Sequence, residues 1–312
     1  MNKPPYSSLL KELKKGQIKA CIIKQHEDIT FEYYKNKKSV SSLHAINSCT
    51  KSILSMLIGI CIREGLIPNI HIPIKEYFAE YLASQEDVRK DTITIYHLLT
   101  MTSGFDWPEF GEWNYWSPME FSQNIVKSAL ERNLEIKPGV KMNYNSGSSN
   151  LLSAIIQKVS GMKTIDFAYK HLFRPMGIED ITWHEKQGIS LGANGLKLKP
   201  IDMLNLGCLY LQGGQWNGVQ LIPNEWIVES TQPRFITYPQ IGHYGYHWWI
   251  SDFTQGNGHK IPFYFALGLF GQFIIIVPDY DMVTIFISEN YSNTMNPMRY
   301  FREHVAPSNP LI

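Results

Sequence analysis

The sequence predicts an α+β fold: an antiparallel β-sheet built from N- and C-terminal strands, flanked by helices, with an inserted, mainly helical lobe. Three observations predict it. β-prone runs lie near both ends of the 312 residues, the stretch between them reads as helix and loop, and one run, Ile53 to Ile62, is apolar on nearly every side.

In chain order, Ser7 to Lys15 has leucines on one side and stops before Gly16, the pattern of a short amphipathic helix. Ile18 to Ile23 and Ile29 to Tyr34 are β-prone and separated by Gln25-His26-Glu27-Asp28, so they read as a hairpin. Ala45 to Ile53 leads into a helix that Asn47 or Ser48 can cap. The body of that helix, Ile53 to Ile62, is interrupted only by Ser55 and Gly59. It is about half the length needed to cross a bilayer, so it reads as a core helix.

From residue 65 to 233 helical stretches are predicted at Pro118 to Arg132, Ser149 to Val159 and Ile201 to Leu211. Strands return at Gly245 to Ile250, Phe263 to Leu267, Gln272 to Val277 and Met282 to Ser288, the last two joined through Pro278-Asp279-Tyr280-Asp281. Asn296 to Val305 closes the chain as a helix. The expected organisation is one domain: residues 1–64 and 234–312 form an α/β lobe, and residues 65–233 form the helical lobe.

With 29 basic and 28 acidic residues the formal charge is +1, so no global field directs the chain to nucleic acid or an anionic membrane. A small-molecule partner is expected. The N-terminal residues lack an apolar stretch of about 7–15 residues, from which a cytoplasmic location is expected. The four cysteines show no metal spacing and read as reduced, packed thiols, Cys49 included. His243 and His247 lack a nearby carboxylate, and neither a metal nor a cofactor is expected.

The chemistry centres on Ser48 and Lys51. Three residues apart, they share a helix face, and the positive helix end favours negative charge forming on Ser48. For Lys51 to serve as a base near neutrality, its pKa must fall from about 10.4 by roughly 3, worth about 4 kcal/mol. The enclosing run Ile53 to Ile62 supplies the burial. Ser8 and Lys11 repeat the spacing on an ordinary amphipathic stretch and read as a decoy. Downstream, Tyr144 precedes a helix in a polar loop; held near Ser48 it can relay a proton, with Lys51 lowering its pKa.

The segments Ser48-x-x-Lys51, Tyr144-x-Ser146, His97 to Gly104, Gly195 to Leu206, Leu211 to Pro223 and Gly268-Leu269-Phe270-Gly271-Gln272 occur in an order that is similar to one family. Over nearly its whole length the chain resembles the serine β-lactamase and penicillin-binding-protein superfamily, in particular its class C-like branch of esterases, D-amino-acid peptidases and 6-aminohexanoate oligomer hydrolases. The resemblance implies a two-lobed β-lactamase/transpeptidase-like fold. It also implies an acyl-Ser48 intermediate, with Lys51 and Tyr144 sharing acid and base duties and the Ser48 and Leu269 amides holding the oxyanion. Ser146, Gly268 and Phe270 are expected to contact substrate, with Gly268 letting its backbone approach.

Two departures bear on the substrate. Ser146 stands where the family's Tyr-x-Asn motif has asparagine, and Ala266 stands where its third motif has lysine or histidine. A substrate carboxylate then loses a charge-assisted bond worth about 1.5–3 kcal/mol. A small, linear amide or ester is expected, with poor β-lactam turnover. The alternatives are a penicillin-binding D,D-peptidase or class C-like β-lactamase and, of another class, a catalytically silent binding member. A serine–histidine pair of Ser103 and His97 lacks the Gly-x-Ser-x-Gly elbow.

Trp107, Phe110, Trp113, Tyr115 and Trp116 cluster in one loop. They read equally as a substrate-pocket wall, with Trp113 and Tyr115 as contacts and Tyr115 foremost, or as pins for the loop itself. Trp248 and Trp249 read as structural residues, one facing the core.

Overall fold

The structure, a computed structural model, describes residues 6–83, 85–110, 119, 121–239 and 241–308. Trp113, Tyr115 and Trp116 lie outside the described residues.

The β-prone ends of the chain meet in one eight-stranded sheet. β1 (Ile18–Gln25) and β2 (Asp28–Tyr34) form the expected hairpin. β3 (Phe235–Ile236), β4 (His243–Tyr244), β5 (Trp249–Thr254), β6 (Lys260–Gly268), β7 (Gln272–Val277) and β8 (Met282–Ser288) follow, in the order β3-β4-β5-β6-β7-β8-β1-β2. β1 pairs antiparallel with β8, with Ile22 opposite Ile285, so the N-terminal hairpin is locked to the C-terminal meander. β7 and β8 are buried along their whole length because helices cover both faces, which explains their continuous rather than alternating apolar sequences.

On one face lie α2 (Cys49–Arg63) and α4 (Pro200–Leu211); α1 (Ser7–Lys15) and α5 (Asn296–Tyr300) cover the other. α2 is buried from Cys49 to Cys61 because it is enclosed between the sheet and α3 (Ser146–Ser160). A small sheet pairs His44–Ala45 with Leu196–Leu198, which fixes the chain just before Ser48 against residues 196–198. All four cysteines are free and buried, and no helix among the described residues is long and apolar enough to cross a membrane.

Three expectations need correction. Residues 245–248 are not strand: Tyr246 N–H bonds Ser230 O, His247 N–H bonds Leu99 O, and His247 adopts φ +60. Those tertiary bonds pull the segment off the sheet until Trp249, and both tryptophans end up buried. The helix expected over Pro118 to Arg132 is interrupted: Met119 and Phe121 are helical, residues 122–124 are not, and a helix restarts at Ile125–Leu130, capped by the side chain of Asn124. α3 begins at Ser146, three residues earlier than its apolar periodicity, because its first turn packs polar side chains inward.

Candidate active site

Ser48 stands at the N-terminal end of α2 with helical φ/ψ and makes no side-chain cap, nor does Asn47 cap the helix as expected. Asn47 adopts φ +48, and its amide donates to Leu269 O at 2.7 Å, tying the start of α2 to the end of β6. This leaves the Ser48 hydroxyl for Lys51. The Lys51 ammonium donates to Ser48 Oγ at 3.2 Å, Ser146 Oγ at 3.2 Å and Ala193 O at 2.9 Å. The carbonyl arrives there because residue 192 is glycine: a Cβ would lie 2.0 Å from Ser149 O.

Lys51 is 1% exposed. Burial lowers its pKa to about 8, while the negative field of Glu109, and less that of Cys49, pulls the other way. His247, behind it, donates from Nδ1 to Leu99 O and pairs through Nε2 with Ser149 Oγ, and burial followed by the Lys51 charge pushes its pKa down to about 3. Its imidazole is therefore neutral.

Tyr144 lies with its ring 4.8 Å from Lys51 Nζ and is stacked between Phe110 and Trp249. The Ser48 hydroxyl beside it lowers the phenol's pKa. Burial first and the charge of Glu109 second outweigh it, so the pKa rises well above the usual range. The expectation that Lys51 lowers it is thus reversed, and the phenol is held protonated.

Glu109 is the residue sequence reasoning missed. Its carboxylate accepts from Ser146 N–H at 2.7 Å, Ser146 Oγ–H at 2.5 Å and Trp107 Nε1–H at 2.8 Å. The aromatic density around it was a signal for the loop, but nothing local marks a carboxylate that reaches a helix 37 residues away.

These groups open on a cavity of about 790 Å³. Asn47, Ser48, Glu109, Tyr144, Asn194 and Thr294 form its polar lining, and Phe110, Tyr238, Ile241, Trp249, Leu267 and Leu269 its apolar walls. Among the described residues none of the lining is cationic. Neither the Ser48 nor the Leu269 amide has an acceptor among the described residues.

The other expected contacts are placed differently. Ser146 is fully buried behind Lys51, turned inward by the early start of α3, and does not line the cavity. Gly268 admits the protein's own backbone, since a Cβ there would lie 2.3 Å from Ile46 O. Phe270, at φ +69, packs its ring on Tyr291 and is not part of the lining. Trp107 is 1% exposed and pins the loop under Gly147, whereas Phe110 forms wall. Trp249, expected to be structural, is wall as well. Ser103 bonds Ser148 and His97 bonds Thr94, so that pair makes no nucleophile.

The family model described as Beta-lactamase matches residues 19–306. A 6-aminohexanoate-dimer hydrolase of Paenarthrobacter ureafaciens is 23% identical over 297 residues, covering 86% of this chain and 72% of that protein. A lovastatin esterase of Penicillium rubens is 24% identical over 197 residues, covering 58% of this chain and 49% of that protein. The fold is shared with an octameric penicillin-binding protein homologue from Pyrococcus abyssi at a TM-score of 0.73 and 18% identity, over 94% of this chain and 74% of that one.

Proposed function

Because the chain belongs to the Beta-lactamase family, we propose that it is a serine hydrolase of small amides or esters working through an acyl-Ser48 intermediate. The observation that carries the reading is a buried lysine amine, held at a pKa of about 8, against the hydroxyl of a serine that opens on a cavity.

Neutral Lys51 takes the Ser48 proton as the oxygen attacks the substrate carbonyl. Charge on the carbonyl oxygen is met by the Ser48 and Leu269 amides at the positive end of α2. Tyr144, protonated and beside Ser48, delivers a proton to the departing amine or alkoxide and is reprotonated from Lys51. Water then attacks the ester of Ser48, with Lys51 accepting its proton and returning it to Ser48 Oγ as the acyl–oxygen bond breaks and the acid is released. The names of the 6-aminohexanoate-dimer hydrolase and the lovastatin esterase support amide and ester bonds as substrates. Apolar walls and a lining without a cation among the described residues support an acyl group without a carboxylate, so β-lactams are expected to be turned over poorly.

Intact-mass analysis after exposure to a fluorophosphonate, a penicillin and a short-chain activated ester tests this in the wild type and Ser48→Ala. Fast ester turnover and fluorophosphonate labelling, both lost in Ser48→Ala, are expected. Durable penicilloylation would favour a penicillin-binding peptidase instead, and no labelling by any reagent would leave a silent binding member.

A further inference from the structure

Neutral Lys51 has two N–H donors and one lone pair, and only the lone pair can take the Ser48 proton. Three oxygens surround the amine: Ser48 Oγ, Ser146 Oγ and Ala193 O. The carbonyl can only accept. Ser146 could do either, except that its proton is committed to Glu109 Oε1. Both lysine N–H bonds are thereby assigned, one to Ser146 and one to Ala193, and the lone pair is left facing Ser48.

We propose that Glu109 is a positioning residue: by holding the Ser146 proton, it aims the lone pair of Lys51 at Ser48. The inference rests on Ser48 being the nucleophile and goes beyond it. Nothing here requires Glu109 to touch substrate. Its other oxygen is occupied by the Ser146 and Trp107 N–H donors, which fix the carboxylate's orientation. Those two donors also determine what an isosteric amide would do. In Glu109→Gln the carbonyl must serve both N–H groups, so the amide nitrogen faces Ser146 Oγ and donates to it. The Ser146 proton then turns to the lysine lone pair, and the base is aimed away from Ser48.

A double-mutant cycle at pH 9, where Lys51 is mostly neutral, separates this role from simple loss of structure. Activated-ester turnover and the fluorophosphonate labelling rate are measured in wild type, Glu109→Gln, Ser146→Ala and the double variant, with Glu109→Asp as the conservative control and thermal unfolding as the check on folding. Glu109→Gln is expected to lower kcat by about 100-fold with little change in KM, and Glu109→Asp to recover most of it. Ser146→Ala is slower than wild type through its lost acceptor. With no hydroxyl left to misdirect the amine, adding Glu109→Gln to it is expected to cost less than about threefold. An equal loss in both backgrounds, or a Glu109→Asp variant as slow as Glu109→Gln, overturns the proposal while leaving Ser48 as nucleophile. A wild type without Ser48-dependent labelling overturns both.

Discussion

α2 and α3 pack side by side, with the N-terminal end of α2 at the cavity and that of α3 just behind it, and they treat those ends in opposite ways. α3 is closed by the protein: the side chain of Asn145 takes Ser148 N–H, and Glu109 takes Ser146 N–H. α2 is open at one amide: no side chain of Asn47 or Ser48 caps it, and although the Cys49, Thr50 and Lys51 amides donate to the oxygens of Ile46, Asn47 and Ser48, the Ser48 amide has no acceptor among the described residues. A capped end is electrostatically satisfied and serves as scaffold. An open end keeps its positive field for charge that forms during reaction. Of two similar helices, only the unfinished one is suited to chemistry.

The largest effects should come from the open end. Ser48→Ala is expected to lower turnover by at least about 10⁴-fold, read with an activated ester, while the thermal midpoint stays where it was, since the Ser48 side chain caps nothing. A midpoint that drops by several degrees would mean that the hydroxyl is part of the scaffold and that the contrast between the helices is wrong. Lys51→Met is expected to cost about 10³-fold. As the proposed base, Lys51 would work only unprotonated, so with its pKa at about 8, activity should rise with pH, from roughly 100-fold below the plateau at pH 6 to level above about pH 9. The rise should be absent from the residual activity of Lys51→Met.

Tyr144→Phe sharpens the comparison because Tyr144 belongs to neither helix and lies against Lys51 of α2. Held protonated, it matters where a poor leaving group needs a proton. The expected loss is about 10²-fold or more on an anilide and less than about tenfold on a nitrophenyl ester. Equal losses on the two substrates would assign Tyr144 to positioning rather than proton delivery.

The open end was legible because its parts are local. Ser48 and Lys51 are three residues apart on a helix whose apolar run announces its burial, and β7 and β8 were read to the residue because they are apolar runs bounded by Gly271, Pro278 and Asp281. The closed end was not legible. Glu109 and Ser146 meet across 37 residues, and the third partner of Lys51 is a backbone oxygen 142 residues away, which leaves no mark on side-chain pattern. Residues 245–248 failed for the same reason, since bonds to Ser230 and Leu99 override their β-propensity. Ser146 was found through family resemblance, but its burial behind Lys51 was not legible, because it depends on where α3 starts.

The smallest expected effects divide the two ends most cleanly. Asn145 immediately precedes α3 and Asn47 stands one residue further from α2, just before Ser48; the first accepts from the Ser148 amide and the second donates to Leu269 O. Asn145→Ala removes a cap and should cost about 1 kcal/mol, seen as a fall of roughly 2 °C in the thermal midpoint, with kcat/KM changed by less than about threefold. Asn47→Ala removes no cap and should leave the midpoint within about 1 °C, but it frees the Leu269 peptide, whose amide is one of the two expected to hold the oxyanion. Removal of one such donor outright costs about 10²–10³-fold, and loosening it should cost less, about tenfold in kcat. Thermal unfolding and ester kinetics on this pair therefore read the two helix ends separately. If Asn47→Ala destabilises as much as Asn145→Ala and spares kcat, the open end is scaffold after all, and the oxyanion assignment of Leu269 falls with it.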